Sequence, residues 1–226
     1  TTAITLPGIA SSLRAGQRNH LARLLLRRGE PAPALAQLEL ALVEGLNSDQ
    51  EFETLQWLSV AQAALGRKEA SAATLSRLEA RATALVGQRE ARRIDWARGE
   101  IALAAGDAVT AAAALMAAQR ALPLHGPVLG PPGPHTSLLY SAAIAAIKAG
   151  RDGDAAALLD RLQQGYERVY DMDAYARSFY VRAQIHERAG DAAKARDQYA
   201  RFLALWRDGD QERGWVADAV KKTAAR

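Results

Sequence analysis

The sequence predicts an all-α protein, and three observations lead there. Alanine, the strongest helix former, supplies 51 of 226 residues. Val, Ile, Thr and the aromatics never gather into the alternating runs that a strand requires. Helical apolar patterns recur along the chain, each closed by a glycine, at Gly29, Gly66, Gly106, Gly150 and Gly190, in steps of 37, 40, 44 and 40 residues. Self-similarity at such a period is the mark of a solenoid, in which each unit buries its apolar face only against its neighbours.

Taken in order, each glycine separates two helices and so centres a hairpin. The first joins residues 19–28 to 33–42, and Pro31 stands at a helix start where its missing N–H costs nothing. The second joins 55–65 to 71–80, the third 96–105 to 111–122, the fourth 139–149 to 156–166 and the fifth 178–189 to 193–205. A glycine there can take the left-handed conformation that ends a helix. Asp107, Asp152 and Asp191 follow their glycines at the start of the second helix, where a carboxylate can accept orphan N–H groups. Residues 1–16 read as a lead-in and 17–207 as the solenoid. In 208–226, Trp215, Val216, Ala219 and Val220 at helical spacing read as a capping helix over the last apolar face. Residues 123–135 hold five of the eight prolines and cannot be helix; they read as a spacer between hairpins three and four, with a docking epitope as the alternative.

Composition excludes several classes of function. Twenty-nine Lys+Arg against 25 Asp+Glu give a net charge of only +4, and the basic residues alternate with acids along most segments. That is a solvated helix surface, and it argues against a nucleic-acid groove. With no cysteine in the chain, disulfides, thiol catalysis and cysteine metal sites are excluded. No apolar run is long enough to span a bilayer, and Thr1 to Ala10 lacks the features of a secretion signal.

Small residues stand seven before each hairpin glycine, at Ala22, Ser59, Gly99, Ala143 and Ala183. Others stand five after it, at Ala34, Ser71, Ala111, Ala155 and Ala195. Bulky residues stand nine after, at Leu38, Leu75, Leu115, Leu159 and Tyr199, and Pro123 stands seventeen after Gly106. In this the chain resembles the tetratricopeptide repeat, over roughly Gln17 to Arg207. It departs from that family in its longer steps and in lacking the tyrosine four before the glycine. The resemblance implies a right-handed α-solenoid of about five hairpins plus a capping helix. The run Arg177 to Tyr180, Gly190-Asp191 and the stretch Tyr199 to Asp210 look like the last repeats of bacterial multidomain signalling proteins of serine/threonine kinase, cyclase or winged-helix activator type. That narrower resemblance implies a cytoplasmic docking or sensory module.

Groups for catalysis do not converge in the sequence. The four histidines, 20, 125, 135 and 186, lie on separate segments; His125 and His135 flank the Pro/Gly stretch without a carboxylate nearby, which makes a poor metal site. There is no zinc-hydrolase motif, phosphate-binding loop, nucleophile elbow or calcium loop. We therefore expect no enzyme activity, no cofactor and no metal.

A surface is left. In the repeat family, first-helix residues ten, six and three before the glycine face the concave groove, and the sites thirteen before rim it. Carried over residue by residue, the resemblance implies a partner-binding groove of Gln56, Arg93, Trp96, Glu100, Tyr140, Ile144, Arg177, Tyr180 and Gln184. Trp96, Tyr140 and Tyr180 would form an aromatic ladder, a usual anchor of protein partners; the alternative is that the rings pack between hairpins. The expected function is a non-catalytic module binding a protein or peptide. Two alternatives stand beside it: a regulatory fragment acting in cis on a kinase, cyclase or activator, and a helical-repeat nucleic-acid binder.

Overall fold

A computed structural model describes residues 11–44, 48–84, 91–121, 135–165, 171–206 and 214–224. Eleven helices make up the described residues: α1 (Ser11–Arg28), α2 (Pro31–Leu42), α3 (Ser48–Ala64), α4 (Lys68–Ala84), α5 (Ala91–Ala104), α6 (Ala108–Arg120), α7 (His135–Lys148), α8 (Asp152–Gln164), α9 (Met172–Arg188), α10 (Ala192–Trp206) and α11 (Trp215–Ala224). They pair as hairpins, α1 with α2, α3 with α4, α5 with α6, α7 with α8 and α9 with α10. The chain forms two compact units, residues 1–121 and 122–226. In unit 1, α3 packs on α1 and α2, and α5 on α3 and α4; in unit 2, α9 packs on α7 and α8, and α11 on α10. Residues 123–134 of the Pro/Gly stretch, with His125, lie outside the described residues, and its last residue, His135, expected outside a helix, opens α7. α1 begins at Ser11, within the expected lead-in, and the helical part of the expected cap is Trp215–Ala224.

The hairpin turn is one motif used five times. At Gly106, with φ 84°, the glycine N–H donates to the carbonyl of Leu103 and the next N–H, of Asp107, donates to Ala102. These are the two bonds of a Schellman close, and an L side chain would be strained at that φ. The same pair of bonds recurs at the other four hairpin glycines, all with positive φ. Asp107 and Asp191 then cap the second helix, each accepting the N–H three residues on, from Thr110 and Lys194. Asp152 does not. Its hairpin has Arg151 in the capping place, with no side-chain cap bond, so Asp152 falls inside the first turn of α8. There it takes both Nε and a terminal nitrogen of Arg188, at 2.8 and 2.9 Å.

The small residues sit where the paired helices meet. All ten are buried, and a Cβ built on Gly99 would stand 2.5 Å from Cγ of Leu115, itself fully buried. The α5–α6 approach therefore requires glycine there. In the second hairpin the equivalent contact is polar: Ser71 Oγ donates to the carbonyl of Ser59.

Candidate functional site

First-helix residues of the hairpins supply the expected groove. In unit 1, Trp96 on α5 is 2% exposed and meets Trp57 of α3 edge to face, with ring centres 5.3 Å apart. Its indole N–H donates to Glu100 Oε1, one turn on, at 2.9 Å. Glu100 and Arg93, which flank the ring on the same helix face, are half-buried. Gln56 on α3 is fully buried, and neither amide atom of its side chain has a hydrogen-bond partner among the described residues. Beside it, Thr54 donates to Asn19 Oδ1 and Asn19 to the carbonyl of Gln50, which ties α1 to α3.

In unit 2, Tyr140 on α7 and Tyr180 on α9 are buried, while Ile144 and Gln184, one turn after each, are half-buried. Tyr180 stacks flat on Trp215 of α11, with ring centres 4.4 Å apart, and meets Tyr199 and Phe202 of α10 at steeper angles. Its hydroxyl donates to Asp218 at 2.8 Å. Burial and that carboxylate push the phenol well above its usual range. Arg177 is buried too: its guanidinium lies about 5 Å from the ring centres of Trp206 and Trp215, and its Nε donates to Asp173 at 2.7 Å.

Trp96 and Tyr180 thus pack against a neighbouring helix of their own unit, and the accessible members of each face are Arg93 and Glu100 in unit 1 and Ile144 and Gln184 in unit 2. Sequence reasoning did not find the partners of these rings, Trp57, Asp218 and Trp215. Helical spacing could have paired Trp215 with Asp218, since residues three apart share a face.

Many arginines are engaged by acids on neighbouring helices, Arg81 with Glu51, Arg98 with Glu79, Arg182 with Asp160 and Arg188 with Asp152, and Arg18 of α1 pairs with Glu44, just past the end of α2. Such pairing reduces the charge available to a phosphate backbone. Among the described residues, no group of three or more His, Asp or Glu could hold a metal, and no helix is long and apolar enough to cross a membrane.

Comparison with solved structures gives the architecture its name. The chain resembles a thermophilic tetratricopeptide-repeat protein from Thermus thermophilus, at a TM-score of 0.60 and 18% identity, over 93% of this chain and all of that one. It also resembles a Podosopora anserina putative kinesin light chain with nearly identical tetratricopeptide-like repeats, at a TM-score of 0.50 and 16% identity, over 87% of this chain and 96% of that one. No family model matches the sequence. No curated protein matches it either. The likeness is one of fold: an all-helical protein of tetratricopeptide-type hairpins.

Proposed function

We propose that the chain is a non-catalytic interaction module that binds a protein or peptide through the first-helix faces of its hairpins, within residues 17–207. The observation that carries this reading is the layering of each face. A nearly buried ring, Trp96 or Tyr140, lies one turn from a half-exposed residue, Glu100 or Ile144, and Gln184 stands in the same place after Tyr180. The rings give a rigid floor, and the half-exposed residues, with Arg93, present an acid, a base, an amide and an apolar group to a partner. Preorganised supports of that kind lower the ordering cost of binding. Fold supplies the class of function and these residues supply the site. The finer reading, a docking module of a bacterial signalling protein, rests on the runs 177–180 and 199–210.

The test is affinity capture from native cell extract with the intact chain and with a variant carrying Arg93→Ala, Glu100→Ala, Ile144→Ala and Gln184→Ala. These positions are half-buried, so the variant is expected to keep its helicity. A partner retained by the intact chain and lost by the folded variant supports the reading. Equal capture by both removes the site from these faces.

A further inference from the structure

α11 differs from every other helix in how it is held. It is ten residues long, it buries only Val216 and Ala219 completely, and it leaves Val220 about half exposed. A helix of that length is marginal by itself in water, so its order comes from the surface beneath. That surface is an aromatic cluster on α9 and α10: Phe179, Tyr180, Tyr199 and Phe202, with Trp206 packed against it. Arg177 lies over Trp206 and Trp215. Two polar contacts fix the helix in register: Tyr180 to Asp218, and Lys222 Nζ to Glu187 Oε1 at 2.6 Å, the same Glu187 that accepts from Tyr199. Tyrosine, tryptophan and arginine gathered around one buried centre are the residues that dominate binding energy at protein interfaces.

We infer that α11 is an internal ligand, and that the α9–α10 face it covers is a receptor for an amphipathic helix, which a partner protein's helix occupies when α11 leaves. The seated helix defines the partner's chemistry: an aromatic anchor, an acid three residues on that receives the Tyr180 hydroxyl, a small residue after it, and a base seven residues from the anchor that meets Glu187. Among the described residues α11 packs mainly on α10, whereas α9 packs on α7 and α8 as well, so the short α11 opens at lower cost than the helices beneath it. α11 and the partner are then mutually exclusive. This deepens the interaction reading above and rests on it for the existence of a partner.

The chain has no cysteine, so one introduced thiol reports one position. In the full chain, Ala219→Cys, on α11, is expected to be alkylated at least about tenfold faster under native conditions than Ala195→Cys, buried where α9 meets α10; tenfold corresponds to about 1.4 kcal/mol of opening. Equal rates overturn the inference. Hydrogen exchange on the unaltered chain covers the case in which either variant fails to fold: α11 amides must exchange ahead of those of α9 and α10, and uniform protection overturns it. A labelled peptide of residues 214–224 is then titrated into the full chain and into its Trp215→Ala variant. Binding to the variant at least about tenfold tighter than to the unaltered chain supports a receptor face; no binding to a folded variant, or equal binding to both, overturns it. The probe is this chain's own helix, so a failed capture experiment on Arg93, Glu100, Ile144 and Gln184 leaves these readouts intact.

Discussion

The register place ten residues before the hairpin glycine holds Trp96 in unit 1 and Tyr180 in unit 2, and both rings are almost wholly buried. What buries them differs. Trp96 is covered from Trp57, on the first helix of the preceding hairpin, whose two long helices have further neighbours in α1, α2 and α5. Tyr180 is covered from Trp215, on a ten-residue helix that packs mainly on α10. The place three residues earlier shows the same contrast, with Arg93 half-buried and Arg177 held beneath two indoles. Equal burial therefore conceals unequal permanence: a seam between long helices with further neighbours opens only with its unit, whereas the seam under the ten-residue α11, here called terminal for its place among the described residues, can open alone.

The largest effect is expected at the internal seam. Trp96→Ala should cost about 3–5 kcal/mol, the range for deleting a buried large aromatic, and should shift the midpoint of urea unfolding followed by circular dichroism. A loss below about 1 kcal/mol, small for a buried aromatic, would mean that Trp57 collapses into the space and that the seam is as soft as the terminal one. The contact inside a hairpin comes next. Ala111→Leu, at a fully buried site on α6, should destabilise by about 1–3 kcal/mol through overpacking, because Gly99 has already brought α5 and α6 to their closest approach. An unchanged melting curve would place Ala111 outside the helix contact.

The terminal seam gives a smaller effect. Tyr180→Phe keeps the stack on Trp215 and removes the hydroxyl that donates to Asp218, so the loss should be about 0.5–1.5 kcal/mol. It should fall on α11 rather than on the unit, which hydrogen exchange resolves: faster exchange confined to residues 214–224 upholds the contrast between the seams. An increase spread over α9 and α10 would erase that contrast.

Much of this architecture was legible in the sequence, and the limits follow from what a sequence encodes. A positive φ at a helix end strongly prefers glycine, so Gly29, Gly66, Gly106, Gly150 and Gly190 mark five turns without ambiguity. Close helix approach excludes a large side chain, so the ten small residues marked the contacts. The cap at Asp152 was misplaced because Arg151 sits between it and Gly150, one residue more than separates Gly106 from Asp107. The rings were harder. A helix face that lines a groove and a face that meets the next hairpin lie within one turn of each other, and residue type is the same for both. Which face a ring takes depends on a partner far away in sequence, Trp57 for Trp96 and Trp215 for Tyr180, and helical period carries no information about that pairing.

The smallest expected effect uses charge to separate the two units. In unit 2, Glu187 gains from burial a push upward, but its hydrogen bonds from Lys222 and Tyr199 prevail and hold it below its ordinary value of 4.5. Asp152 is lowered by Arg188. His186 is lowered from 6.5, first by burial and then by Arg182. Each depressed group contributes stability that is complete above its unfolded value and is lost as pH falls through its folded one. In unit 1 Asp107, a helix cap, is lowered in the same way, as is the equivalent cap Asp191 in unit 2. Lys222 has the opposite sign: Glu187 raises it, so its contribution is present below 10.5 and fades only as pH rises through the folded value. Acidification from pH 7 should therefore loosen unit 2 before unit 1, starting with His186 once pH falls below its ordinary value of 6.5 and continuing below about 4.5 as the carboxylates protonate. Because Glu187 and Asp152 keep about a third of their side chains in solvent and are screened there, each is worth less than about 1 kcal/mol. The loss of the Glu187 contact should be seen first at α11, as a fall in its amide protection, corrected for intrinsic rate, as pH is taken from 7 down through 4.5 and below. An equal fall across α3 and α5 would mean that acid acts on the whole chain, and that the polar contacts of the terminal seam add nothing to its hold.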